Sequence, residues 1–432
     1  MNRNATVDGA VKNLGWRVTF AGLGINLALG ILYTWSVISK AVPDEWGWGE
    51  ADRSFPYAVA CLIFSLTMVP AGRLQDKFGP RLVASIGGLL VGIGMILAST
   101  TTEYLYYVVY FGVLTGAGIG FGYASATPPA VKWFPSSRTG LIAGLVVSGF
   151  GLASVYAAPL AKTLIAAYGL PQTMFILGIA FMVVVVGLAQ LLSPPPKGYV
   201  PAGGSAGAAT ATVAKADFSP MEMLRTTQFY LLWFLYACGA GAGLMIIAKL
   251  AKIASLQAAI EQGFVLVAAC AVGNGGGRIV AGMISDKIGR QKTMLGCFVL
   301  QSALMFVMAN ATTGSPLGTL PAMMLLAALI GANYGANLAL FPAITKDFYG
   351  PKNFGVNYGL VFTSWGVGGL VLSLLAGRLH DISKSFEYAY YTAAALLILA
   401  AVGTFFIRPP HGSRSDDDEK PSKEADAALA QA

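Results

Sequence analysis

Chemistry in this chain gathers at Gly273-Asn274-Gly275-Gly276-Gly277-Arg278, inside an apolar stretch running from about Glu261 to Ile284. An arginine near the middle of a membrane helix costs roughly 2.5–3.5 kcal/mol on insertion scales, so it normally faces a polar cavity or a partner group. Glycines beside it weaken the helix but let a neighbouring backbone or a ligand come close. The plain alternative is an arginine that snorkels to the interface or bonds a neighbouring helix's carbonyls. Against it, the apolar stretch continues for a further turn before Asp286. A guanidinium is a permanently charged, forked donor, so the ligand it fits is an anion, most naturally a carboxylate. Asn274 lies one helical turn before Arg278 on the same face and can orient the guanidinium or bond a substrate hydroxyl.

The elements that must hold such a group are membrane helices. Of 432 residues, 56% are hydrophobic and only 11% charged, against about 25% charged in soluble domains. Apolar stretches of about 20 residues recur along the whole chain, which selects helices over barrel strands. The expectation is an all-α integral membrane protein with 12 transmembrane helices. Their approximate ranges are 16–39, 54–72, 82–100, 104–131, 139–167 and 171–193, then 228–250, 259–284, 292–311, 318–345, 354–379 and 386–407. Residues 1–193 thus form one six-helix bundle and 228–407 a second, joined by a cytoplasmic linker over 194–227. The linker begins with Pro194-Pro195-Pro196, which stops the sixth helix, and continues as an Ala/Gly/Thr run. The charged tail, 408–432, is expected to be disordered. Met1 to Leu14 has no apolar core, so no cleavable signal is expected.

Basic residues set the orientation. With both termini cytoplasmic, twenty of the 28 Lys/Arg fall on that side and seven on the other, with Arg278 between them. The net charge of +8 therefore speaks to orientation in a cell (inner) membrane and not to nucleic acid. The halves also repeat. Gly72-Arg73-Leu74-Gln75-Asp76-Lys77-Phe78-Gly79-Pro80-Arg81 has its counterpart in Gly282-Met283-Ile284-Ser285-Asp286-Lys287-Ile288-Gly289-Arg290. Ala130-Val131-Lys132-Trp133-Phe134 likewise matches Ala343-Ile344-Thr345-Lys346-Asp347-Phe348. Two parallel six-helix repeats around a central linker are the organisation of transporters. The same superposition puts Met68 opposite Arg278 and Phe64 opposite Asn274, so the cation belongs to one half only.

The duplicated G-x-x-x-D-[KR]-x-G pattern resembles the loop motif of the major facilitator superfamily. Within it, the chain resembles the branch of monocarboxylate transporters and oxalate:formate antiporters. That likeness is carried by Tyr33-Thr34-Trp35-Ser36, by Lys132-Trp133-Phe134-Pro135 with Arg138 and Gly140-Leu141, and by Arg278 eight residues before Asp286. The resemblance implies two pseudo-symmetric six-helix bundles, the major facilitator fold. It also implies that Asp76 and Asp286, with Arg73, Arg81 and Arg290, hold the cytoplasmic side closed; a carboxylate can pair with these arginines and accept from a helix start.

Departures from the branch narrow the substrate. Oxalate carriers of this type have a second cation, a lysine, in span eleven; Trp365 stands there in this chain. One cation favours a monocarboxylate over a dicarboxylate. Animal monocarboxylate carriers have a lysine in span one and an aspartate one turn before the span-eight arginine, where this chain has Val37 and Asn274. Their proton relay is therefore absent. Around Arg278, Tyr33, Tyr123 and Tyr334 are candidate hydroxyl donors, and Leu29, Leu145, Phe362 and Trp365 candidate walls for a small alkyl group. Asn333 and Asn337 are polar within span ten and can simply bond between helices.

The expected function is alternating-access, proton-coupled symport of a small monocarboxylate of the L-lactate or pyruvate type. Two alternatives remain open, an anion exchanger of the oxalate:formate kind and, more remotely, a non-transporting membrane sensor. No Asp or Glu is assigned to a helix centre, while Lys249, Lys252, His380 and Asp381 fall near outer helix ends. A weak acid with a pKa near about 4 could bring its own proton. No HExxH or P-loop pattern is present, and His380 and His411 do not form a catalytic group. The four cysteines show no metal or disulfide spacing. No enzymatic activity, cofactor, metal or obligatory accessory subunit is therefore expected, and the partners are the anion, the proton and the lipid bilayer.

Overall fold

The structure, a computed structural model, describes residues 6–7, 10–11, 13–196, 199, 201, 217–261, 263–383 and 385–410. The charged tail beyond residue 410 and most of the Ala/Gly/Thr run of the linker lie outside them. Among the described residues the long helices are α1 (Gly15–Lys40), α2 (Glu50–Phe78), α3 (Pro80–Ala98) and α4 (Tyr104–Val131). Next comes a 51-residue helical stretch, Thr139–Ala189, broken where Gly169 takes φ 78° and ψ 170°. It is two membrane helices, α5 (139–168) and α6 (170–189). The second half holds α7 (Thr227–Ala258), α8 (Gly263–Ile288), α9 (Arg290–Ala309), α10 (Leu320–Tyr349), α11 (Phe354–Ser383) and α12 (Glu387–Thr404). Twelve spans result, as the apolar periodicity predicts.

Two boundaries differ from the sequence reading in an informative way. Helices α2 and α8 do not stop before the repeated motif but run through it, so Asp76 and Asp286 sit in the last helical turn. The connection to the next helix is then one residue, Gly79 at φ 88° and ψ 162° in the first half and Gly289 at φ 94° and ψ 154° in the second. Only glycine adopts this region without strain, which is why the motif needs it in both halves. The matching dihedrals show the repeat to be structural as well as sequential.

The two halves meet along equivalent pairs, α5 with α8 and α2 with α11. Glycines make both contacts close. A Cβ on Gly140 would run into the Gly282 carbonyl, and one on Gly144 into the backbone of Arg278. At the other contact Gly72 faces Gly355, and Gly359 faces Met68. Within the second half, Gly273 and Gly277 lie against the backbone of Ala328 and Ala332 on α10, and Gly275 against the Leu152 side chain on α5. Three glycines of the Arg278 stretch thus serve helix packing. Phe20, Val183, Val299 and Leu325 are exposed on the outside of the bundle, as expected of a surface that faces lipid.

Candidate functional site

Arg278 sits midway along α8, fully buried at 0% exposure, where α5 and α8 cross. Its guanidinium is held from two sides. Nε donates to Asn274 Oδ1, one turn back on the same helix, at 3.0 Å. Nη1 donates to the Val147 carbonyl of α5. That carbonyl bond is the one the plain reading of Arg278 anticipates, but it uses only one edge of the fork. Nη2 is buried and has no acceptor among the described residues. A buried charged donor left unpaired is costly, so this edge of the fork is the one available to a further acceptor. Gly151 of α5 is part of that construction, because a Cβ there would stand 3.0 Å from Arg278 Nε.

Around Arg278, Tyr33, Phe64, Tyr123, Phe150, Leu338, Phe362 and Trp365 close on one another, leaving no room for a water-sized sphere. Tyr33 stands on a tightened turn of α1, Gly30–Thr34, and Gly30 lets this turn approach Phe150 and Ala153 of α5. Its hydroxyl lies 2.7 Å from that of Tyr334 on α10, which also accepts from Trp365 Nε1 at 2.9 Å. Tyr33, Tyr334 and Trp365 therefore bridge the two halves directly. Tyr123 is buried with its hydroxyl unpartnered among the described residues. A separate void of about 30 Å³ lies beyond Asn274, between Gly151, Ile247, Leu250 and Cys270, and is large enough for a water.

The structure thus brings Arg278, Asn274, Tyr33, Tyr123, Tyr334, Phe362 and Trp365 together. Leu29 packs beside Gly122 instead, and neither Leu29 nor Leu145 lines the closed space. Sequence reasoning passed over Phe64, Phe150 and Leu338 as wall residues. Phe64 carried a signal, being the repeat partner of Asn274; Phe150 and Leu338 carried none. Asn333 and Asn337 donate to backbone carbonyls of α10 itself, those of Leu329 and Asn333, instead of bonding between helices.

The second polar constellation lies at one end of the bundle, the motif face. Asp286 accepts from the amides of Gly140 and Leu141, at 2.9 and 2.8 Å, which open α5 in the other half. Arg290 pairs with it at 2.5 Å and with Asp347 at 3.0 Å. Asp76 makes the equivalent contact to α11, accepting from the Val356 amide at 3.1 Å. This end is the weaker one: its ion pair is with Lys132 at 3.9 Å, and its Oδ1 has no hydrogen bond. Burial pushes the Lys132 ammonium below the usual lysine range, while Asp76 and then Asp217 pull it back. Arg81 turns away to the Leu192 carbonyl at 2.7 Å, and Arg73 is exposed. Lys346 of α10 adds a bond across the halves, donating to the Val131 carbonyl at 3.0 Å and to Thr139 at 3.1 Å.

Twelve membrane helices in two glycine-joined repeats, with a buried cation between them, define a transporter of the facilitator type. The chain belongs to the Major Facilitator Superfamily, whose family pattern matches residues 20–273 and 249–430. It is 28% identical to the oxalate:formate antiporter of Oxalobacter formigenes over 92% of this chain and 93% of that protein. It is 25% identical to monocarboxylate transporter 13 of Bos taurus over 96% and 94%. These relatives fall on the branch that the sequence resembles. The fold also matches the solved structure of the superfamily transporter FucP of Escherichia coli in the outward conformation, with a TM-score of 0.66 at 17% identity over 90% of this chain and 98% of that one.

Proposed function

We propose that this transporter moves small monocarboxylates of the L-lactate or pyruvate type, each with one proton, by alternating access. The observation that carries the reading is Arg278: central, wholly buried, oriented by Asn274, and left with Nη2 unsatisfied. A carboxylate there would complete the fork. Tyr33, Tyr123 and Tyr334 would donate to its second oxygen or to a substrate hydroxyl, and Phe362 and Trp365 would enclose the alkyl group. Leu29 and Leu145 would join that wall only when the halves part, since the closed space has no room for a substrate.

Asp286 with Arg290, and Asp76 more weakly, would latch the motif face, which the basic residues assign to the cytoplasm of a cell (inner) membrane, with both termini on that side. Arg73 and Arg81 would support the latch by field rather than by direct pairing. One observation favours an exchanger as the second reading: among the described residues no aspartate or glutamate is fully buried, so no resident carboxyl beside Arg278 takes up the proton. Competition binding to the purified protein tests the site. L-lactate should bind the wild type, and Arg278→Ala should lose that binding while remaining folded; an unchanged affinity would remove Arg278 from the site.

A further inference from the structure

Arg278 Nη2 is not the only buried polar atom without a partner among the described residues. Tyr123 of α4, Tyr236 of α7 and Tyr358 of α11 are all buried, and none of their hydroxyls has a hydrogen-bond partner among the described residues. The three belong together. The Tyr358 hydroxyl lies within weak hydrogen-bonding reach of those of Tyr236 and Tyr123, short of the geometry of a full bond. Their rings are fixed by packing. Tyr236 stacks on Phe341 with centroids 4.1 Å apart, and all three surround Phe362 at 5.5, 6.1 and 5.7 Å.

Phe362 also lines the Arg278 space, where it stacks on Trp365 at 5.2 Å. The order along α11 is therefore Val356 at the motif-face latch, Tyr358, Phe362 one turn further, and Trp365 beside the Arg278 space. Tyr358 and Phe362 thus stand between the Arg278 space and the motif face, with Tyr123 and Tyr236 packed on Phe362 beside them. Packing alone asks for phenylalanine at these positions, because a buried hydroxyl without a partner is penalised. Uncharged hydroxyls can donate to a carboxylate without holding it as an arginine does.

We infer that Tyr123, Tyr236 and Tyr358 form a second, uncharged station for the substrate carboxylate on the motif-face side of Arg278, with Phe362 as the partition between the two. The inference rests on Arg278 being the primary carboxylate site. Tyr123 also lines the Arg278 space, whereas Tyr236 and Tyr358 do not, so they are the residues to change.

The test uses the full-length Tyr236→Phe/Tyr358→Phe double variant, which keeps both rings and removes only the hydroxyls. Exchange of labelled L-lactate across liposomes at saturating substrate should fall about tenfold or more. Equilibrium binding of L-lactate should change by less than about twofold, and the melting temperature should hold. An unchanged exchange rate would overturn the station. A joint fall of binding, exchange and melting temperature would overturn it too, by showing that the hydroxyls only support the fold. A wild type that neither binds nor exchanges L-lactate or pyruvate would instead overturn the primary reading, and this inference with it.

Discussion

At the scale of the residue, the geometry of Arg278 decides what its substitutions do. Two of its donors are committed to protein oxygens and one edge is open. We expect Arg278→Ala to weaken L-lactate binding by about 10- to 100-fold, the worth of a charge-assisted hydrogen bond in a buried site. Arg278→Lys should lose most of that as well, since one ammonium cannot bond Asn274, Val147 and a carboxylate in the planar arrangement of the fork. Competition binding reads both losses, and an unchanged melting temperature separates them from a general loss of folding. Trp365→Lys introduces a second cation beside the first and should raise recognition of oxalate relative to lactate. The same change breaks the bond to Tyr334, so the informative quantity is the ratio of the two affinities; a constant ratio would remove the argument from span eleven. Arg278 and Asn274 were legible from sequence because charge and amide stand out in an apolar helix. Phe150 and Leu338 were not, because an apolar wall residue looks like any other apolar residue until the helices are placed.

At the scale of the element, the two aspartates tie the halves together unequally. Asp286 accepts two amides that open α5 and an arginine on its own side, whereas Asp76 accepts one amide and faces a lysine at 3.9 Å. Asp286→Asn should therefore slow exchange of labelled L-lactate more than Asp76→Asn does, with binding at Arg278 reduced less than exchange in both. Equal losses of binding and exchange would count against a latch. Gly151→Val offers a separate probe of positioning, because its side chain would press on Arg278 Nε without adding or removing charge. Its expected effect is weaker binding with ordinary insertion into the membrane, read by the same competition assay. The repeat exposed both aspartates in sequence, and the glycine pattern announced close contacts. Their partners were hidden: Gly140, Leu141 and Val356 contribute backbone amides, and no side-chain pattern advertises a backbone donor.

At the scale of the whole molecule, the single cation makes the two half-cycles electrically different. On the proposed reading, the empty site carries one buried positive charge and the site holding a carboxylate would carry none. Reorienting the loaded carrier is then cheaper than reorienting the empty one, a property that favours exchange and demands a driving force for net uptake. In the proposed symport, a proton travelling with the anion would supply that force, with no fully buried Asp or Glu needed among the described residues. The twelve spans, the two halves and the one-sided cation could all be read from periodicity and repeat, since these are properties of long segments. The closed state could not, because it depends on Tyr33, Tyr334 and Trp365 meeting across the halves. One experiment reaches the centre of this picture: uptake of labelled L-lactate into liposomes containing the purified protein, with an alkaline interior and no internal substrate. We expect accumulation that collapses when a proton ionophore is added and that Arg278→Ala abolishes. Uptake that ignores the ionophore and appears only after lactate, formate or oxalate is loaded inside would contradict proton symport and make the protein an exchanger.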